Sequence, residues 1–341
     1  MKKITLRAIA DRCGCSVTTV SRVLNGNAEK FRISPKTADA VMAEITRTGY
    51  VPSFTAQTLR KKKSGMIGLL LPSIANPYFA DMASHLISEL HISGYSAIIF
   101  DTMENAARLD SGARELLLRR VEGIIAVPCG NNSSTLELVS REIPVVLVDR
   151  FYEHSSLSYV TTNNFKGGYD GTKSLIQAGH RHIACIQGAR DSMPNRERVQ
   201  GCLKAMEEAG LADCLTVTGN DFSVQNGYLS SKLLLLGAQP PTAIFALSNT
   251  ILLGALKAIR ESDLRVPEDI SLISFDDNMY MDYLTPAITR IEQPVENMAK
   301  LSVKILCDML DSSHEADSSS SQIRLLPHII NGQSIANITL Y

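Results

Sequence analysis

Between Met66 and Phe275 short continuous apolar runs alternate with longer helical stretches, and few architectures accept that pattern. The runs Met66–Leu71, Ala97–Phe100, Gly123–Val127 and Val145–Val148 form one series. His182–Ile186, Leu215–Val217, Ala243–Leu247 and Ile270–Phe275 form a second. Strands apolar on both faces must be covered on both, which predicts parallel sheets sandwiched by helices. Two such series predict two doubly wound parallel-sheet subdomains with a cleft between them. Ligands of such folds collect at the carboxyl ends of the strands.

The stretch ahead of this body is different. Thr5 to Asn25 reads TLRAIADRCGCSVTTVSRVLN, with Leu6, Ile9, Ala10 and Cys13 on one face of a short helix. Gly14 breaks that helix and Ser16 is placed to cap a second. In the second helix Val20, Val23 and Leu24 share one face, and Val17, Thr18, Ser21 and Arg22 share another. Two short helices joined at a glycine match a helix-turn-helix, although an αα-hairpin that only packs has the same geometry. After a polar loop, Ser34-Pro35 starts a third helix whose inner stripe is Ala38, Val41, Met42 and Ile45, and Gly49 ends it.

Val51 to Ser64 follows, and Pro52 breaks the chain there. In FTAQTLRKKK the obvious apolar contacts are Ala56 and Leu59, and a helix this short does not stand alone in water. It is a linker or a segment that folds against a partner, and the run Arg60 to Lys63 favours a polyanion.

Charge separates the two parts. The net charge of −1 over 341 residues conceals 13 Lys and Arg against 4 Asp and Glu in residues 1–63, a balance of +9. The remainder carries 21 basic and 31 acidic residues. A basic head on an acidic body suggests a polyanion-binding module on a carrier. The seven cysteines are odd in number and scattered, which points to a reducing compartment rather than a disulfide framework. Cys13-Gly14-Cys15 has no second Cys or His cluster nearby to complete a metal site. No leader-like segment and no apolar run of ~20 residues is present, so a cytoplasmic, non-membrane protein is expected.

Two competing classes are weak. An enzyme on an α/β scaffold would need a dinucleotide fingerprint, a P-loop or a nucleophile elbow, and none is found. His180 and His182 flank Arg181 without forming a convincing dyad. A solute-binding protein is opposed by the missing leader and the basic head.

TLRAIADRCGCSVTTVSRVLNG resembles the N-terminal signature of the LacI/GalR family of transcription regulators, with Cys13 and Cys15 at small buried positions. The resemblance continues through YVPSFTAQTL, IGLLLPSIANPYF, PVVLVDR, GHRHIACIQG with RERVQGC, AIFALSN, VPEDISLISFDD and TPAITRIEQP, nearly the whole chain. It implies an all-α helix-turn-helix headpiece at 1–50, a hinge helix at 51–64 and a periplasmic-binding-protein-like α/β effector domain at 65–341. The two subdomains would comprise 65–162 with 290–324, and 163–289 with 325–341.

The family pattern assigns residues as well. Val17, Thr18 and Arg22 match base-reading positions, and Thr5, Leu6, Ser16, Thr19, Ser21, Asn25 and Thr37 match positions that touch phosphates and set register. Ala56 and Leu59 match the minor-groove side of the hinge, with Leu59 as the wedge. In the cleft, Tyr78, Phe79 and Phe222 match aromatic positions, and Asp149, Arg198 and Asp276 match polar ones. Arg190 and Arg196 are expected on the surface.

The chain departs from the family at Asn163-Asn164 and Ser248-Asn249, where the family commonly has Asp-Asn and Asn-Asp, so two carboxylates are replaced by amides. These positions are either structural or admit an anionic effector with Arg198 as its partner. The implied ligands are double-stranded operator DNA and a small effector (a sugar, sugar acid or sugar phosphate), with no other cofactor or metal. No heptad repeat follows the effector domain, so a homodimer is expected rather than a tetramer.

Overall fold

The computed structural model describes residues 4–50, 64–311 and 320–338. The chain divides into two compact units, Met1–Ser64 and Gly65–Tyr341. The expected hinge residues Ala56 and Leu59 lie outside the described residues.

The first unit holds three helices, α1 (Leu6–Arg12), α2 (Val17–Leu24) and α3 (Pro35–Thr48). Each begins on a hydroxyl cap: Thr5 Oγ1 accepts from the Ala8 amide, Ser16 Oγ from Thr19 and Ser34 Oγ from Thr37. Such caps are worth about 1 kcal/mol apiece. Gly14 turns the chain between α1 and α2 at φ 61°, which costs a glycine little. Ile9, Ala10, Val20, Val23 and Val41 form the core. Met42 does not join it and is 48% exposed. Val41 already fills the seam, and its neighbour lies about 100° further round the helix.

The second unit contains two six-stranded sheets. The first comprises β1 (Met66–Leu71), β2 (Ser96–Asp101), β3 (Gly123–Ala126), β4 (Val145–Val148), β5 (Ser158–Thr162) and β11 (Gln322–Leu325). Its order is β11-β5-β4-β3-β1-β2, parallel throughout. The second comprises β6 (Ile183–Ile186), β7 (Leu215–Thr218), β8 (Ala243–Ala246), β9 (Ser271–Phe275), β10 (Thr289–Glu292) and β12 (His328–Ile330). Its order is β12-β10-β9-β8-β6-β7, parallel except for β12 against β10. All eight apolar runs read from the sequence are strands. β5, β10, β11 and β12 are additional.

Helices cover both faces of each sheet. In the first lobe α4 (Pro77–Ile92) and α11 (Val295–Asp311) pack on one face, and α5 (Ala106–Leu118) with α6 (Ser134–Ser140) on the other. In the second lobe α7 (Asn164–Gln177) and α8 (Met193–Glu208) cover one face, and α9 (Val224–Leu235) with α10 (Asn249–Arg260) the other. α7 and α8 approach closely because glycines meet backbone there. A Cβ on Gly168 would stand 2.1 Å from the Arg198 carbonyl oxygen, and one on Gly201 2.1 Å from that of Phe165.

The chain crosses between lobes after Thr162, after Glu292 and after Leu325. The expected boundary at 290 therefore moves, because β10 pairs with β9 of the second sheet, and Leu325 still pairs with Thr162 in the first. Of the serine-rich tail, Asp311 ends α11 and Gln322 begins β11, while 312–319 lie outside the described residues.

Candidate functional site

In the three-helix unit the outward side of α2 carries the expected base-reading residues. Val17 is 42% exposed and Thr18 is exposed, while Arg22 is half-buried in the last turn. The Arg22 guanidinium lies over the ring of Phe31, 3.9 Å from its centroid. Ser16 and Thr19 share a hydroxyl contact of 2.9 Å at the start of α2, and Thr37 meets Ser34 at 2.8 Å at the start of α3. Thr5, Ser16 and Thr37 thus sit at helix N-termini, where backbone amides favour an anion. At the other end of α2, the Asn25 side-chain amide donates to the Ser21 carbonyl. Leu6 is half-buried and packs against the headpiece core, so its contact surface toward a partner is small.

Glu44 of α3 accepts hydrogen bonds from Arg47 and Arg12, and these hold its carboxyl down to about 2. Those two cations are neutralised within the unit. Arg22 is not: among the described residues no hydrogen bond or ion pair engages its guanidinium.

A second site lies between the two lobes of the body. A cavity of about 690 Å³ is lined by segments that follow β1, β2, β3 and β4 of the first lobe and β6, β7 and β8 of the second. These are the carboxyl ends of the strands, as the fold requires. Its walls include Phe151, Tyr152 and Phe222. The Phe222 ring packs against Gly188, where a Cβ would come within 2.2 Å of it.

Six of the expected cleft residues border a narrower recess beside this cavity: Tyr78, Phe79, Asp149, Arg198, Ser248 and Asp276, with Phe222 shared by both. Tyr78 donates a 2.6 Å hydrogen bond to Asp149, and both are buried. Burial raises the Asp149 carboxyl above the usual range, against the pull of Arg150 and Tyr78. Burial, and then the Asp149 charge, raises the Tyr78 phenol as well. Asp276 accepts from Gln293 Nε2 at 2.7 Å and from the Asn249 amide at 3.2 Å.

Arg198 is largely committed within the protein. It donates to Asn164 Oδ1 and to the Leu247 carbonyl at 2.8 Å each, stands 3.8 Å from Asp276, and stacks 3.6 Å over Phe275. Ser248 caps α10, accepting from the Ile251 amide. Asn249 lies behind the wall and bridges the lobes, with Nδ2 3.3 Å from Asn76 Oδ1 and 2.7 Å from Asn278 Oδ1. Asn163 does not face the cavity; it caps α7 by accepting from the Lys166 amide, because β5 ends one residue before it. Its amide is a helix-cap choice, so it gives no evidence for an anionic ligand.

Two further arginines line the cavity, of which Arg150 was not singled out by any motif. Arg150 makes a bidentate pair with Glu104 at 2.7 and 2.8 Å. Burial draws its pKa down, but Glu104 more than offsets this and the net shift is upward. The signal was its place beside Asp149. Arg196, expected on the surface, is partly exposed at the cavity rim and donates 2.6 Å to Glu153 of the opposite lobe. In all, six carboxylates (Glu104, Asp149, Glu153, Asp191, Asp221 and Asp276) face three guanidiniums, those of Arg150, Arg196 and Arg198. Among the described residues no cluster of side chains could hold a metal, and no helix is long and apolar enough to cross a membrane.

Comparison with known proteins matches residues 5–53 to the model of bacterial regulatory proteins of the lacI family, and 172–335 to that of a periplasmic binding protein-like domain. The ribose operon repressor of Haemophilus influenzae is 31% identical over 313 residues, 91% of this chain and 93% of that protein. The HTH-type transcriptional repressor PurR of Erwinia tasmaniensis is 32% identical over 338 residues, covering 98% and 97%. Among solved structures, the lac repressor dimer bound to operator and the anti-inducer ONPF superposes with a TM-score of 0.87 at 25% identity, covering 98% of this chain and all of that one.

Proposed function

The chain belongs to the LacI family of bacterial regulatory proteins, and from that premise we propose that it is a cytoplasmic homodimeric repressor whose affinity for a near-palindromic operator is set by a small sugar bound between its lobes. It is a DNA-binding transcriptional regulator rather than an enzyme.

The observation that carries the DNA reading is Arg22. An arginine with its donors unengaged, beside Val17 and Thr18 on the outward side of a second helix, suits major-groove readout. Arg22 reads guanine, Thr18 serves either base type, and Val17 presses on a thymine methyl. Thr5, Leu6, Ser16, Thr19, Ser21, Asn25 and Thr37 position the headpiece on phosphates, and Ala56 and Leu59 enter the minor groove.

The cleft supports a neutral sugar within the range sugar, sugar acid and sugar phosphate. Aromatic walls offer faces for stacking, and paired charged groups offer both donors and acceptors to hydroxyls. An excess of carboxylates opposes a phosphate or carboxylate ligand. Arg198, committed to Asn164, Leu247 and Asp276, is a brace for the cleft rather than an anion receptor.

The test is retention of operator-length duplex in an electrophoretic shift, with genomic fragments selected first to supply the operator. Specific binding that falls steeply with salt is expected. No preference among fragments would sink the reading.

A further inference from the structure

We propose that Phe31 is a specificity-determining positioning residue for DNA recognition, holding the Arg22 guanidinium by its face so that its edge stays free for a base. The proposal rests on the base-reading role given to Arg22 above.

Phe31 lies in the loop between α2 and α3, nine residues after Arg22 in the chain. It is 43% exposed although it is aromatic, and it contributes nothing to the headpiece core formed by Ile9, Ala10, Val20, Val23 and Val41. Its ring meets instead the guanidinium carbon of Arg22, 3.9 Å from the centroid. The loop is built to place it there. The Phe31 amide donates to the Asn27 carbonyl, the Arg32 amide to Glu29, and Ile33 to Ala28, and Arg32 then takes a left-handed conformation at φ 54°.

The geometry separates two uses of one side chain. A guanidinium binds an aromatic ring through its flat face, while its five N–H donors lie in the plane and point outward. Stacking on Phe31 therefore occupies the face and leaves every donor available. The two donors that must meet guanine O6 and N7 together have to be aligned before contact, and a free arginine loses side-chain entropy in reaching that alignment. Phe31 removes part of that loss in advance. An ion pair would fix the arginine too, but it would consume the donors, as Glu44 does to Arg12 and Arg47.

The contrast with a backbone contact is testable. A phosphate-binding residue raises affinity for all sequences alike, whereas a residue that aligns Arg22 acts on one base pair per half-site. The full chain is offered a randomised duplex pool, and retained sequences are compared for wild type, Arg22→Ala, Phe31→Ala, Phe31→Tyr, Phe31→Leu and the double variant Arg22→Ala with Phe31→Ala. Arg22→Ala identifies the base pair that Arg22 reads. Phe31→Ala is expected to lower discrimination at that same pair by about three-fold, the size of an exposed cation–π pair, and Phe31→Tyr to keep it. Phe31→Leu, which retains bulk without a π-face, is expected to behave as Phe31→Ala does. The double variant is expected to lose no more than Arg22→Ala alone. Helical circular dichroism and the melting temperature show that each headpiece is folded.

If Arg22→Ala relaxes no position, the base-reading role falls and the proposal with it. If Arg22→Ala relaxes one pair but Phe31→Ala leaves it sharp, or weakens all sequences equally, the reading of Arg22 stands and the proposal is overturned. Sharper discrimination in Phe31→Ala would overturn it too, since the ring would then be withholding Arg22 from the DNA.

Discussion

Asp149 and Asp276 occupy equivalent places in the two lobes, each immediately after the third strand in its sheet's order. Both are in left-handed backbone conformations, at φ 66° and 73°. Asparagine and aspartate tolerate that region better than other residues with a Cβ, and strain of this kind gathers at binding sites. The cleft is thus floored by two carboxylates on matched turns, one held by Tyr78 and the other by Gln293.

Asp276→Ala should therefore lose at least about 1–2 kcal/mol more stability than Asp276→Asn, since both remove the charge but asparagine tolerates the left-handed turn and keeps an acceptor oxygen, and alanine does neither. Urea unfolding of the two variants measures the difference. Equal losses would show that the turn stores no strain.

Tyr78→Phe should cost about 2 kcal/mol at pH 7, the worth of a hydrogen bond to a buried charged group. The sign of its pH dependence follows from Asp149, whose pKa is already raised by burial and is lowered by Tyr78. Removing the phenol raises it further. An acid whose folded pKa is raised contributes stability below its unfolded value and loses it as pH rises through the folded one. The deficit of Tyr78→Phe should thus be larger at pH 7 than at pH 4 in denaturant titrations. A deficit independent of pH would mean the ring only packs.

Gly201→Ala should destabilise by about 3 kcal/mol, the upper end for overpacking, because the added methyl meets backbone of α7 rather than a movable side chain. Arg198 sits one turn earlier on α8, so effector affinity should fall together with the unfolding midpoint. A variant of normal stability would refute the close helix contact.

Calorimetric titration should find neutral mono- or disaccharides binding at least about ten-fold tighter than sugar phosphates or sugar acids. Phe222→Ala should weaken that binding by about ten-fold, roughly 1.4 kcal/mol, the scale of an aromatic contact. Preference for phosphorylated ligands would reverse the reading of the cleft charges.

The sequence made the apolar strands legible because each is buried on both faces, as Val145–Val148 and Ala243–Ala246 are. β5 and β10 were hidden by polar residues whose partners sit on other elements. Thr161 and Thr162 of β5 are fully buried, and Arg290 of β10 is buried because Asp277 and Asp282 meet it. Such strands look polar until the fold supplies the other half of each pair. The same applies to the site. Tyr78, Asp149 and Asp276 were legible from motifs, but the stacking of Arg22 on Phe31 and the reach of Arg196 to Glu153 depend on loop conformation and lobe geometry. Asn163 illustrates the opposite case: its capping role is local, satisfied within three residues by the Lys166 amide, yet the same position in a motif reads as a ligand position.

The three crossings between lobes have a genetic consequence. The segments after Glu292 supply β11 and α11 to one lobe and β12 to the other, so each half is completed only by chain that follows Glu292. A nonsense or frameshift mutation between Glu292 and Leu325 takes an element from each half at once, while leaving the three N-terminal helices untouched. Late truncations are therefore expected to yield unstable, unresponsive chains that still carry a headpiece, and neither half can be inherited, exchanged or lost as a contiguous cassette.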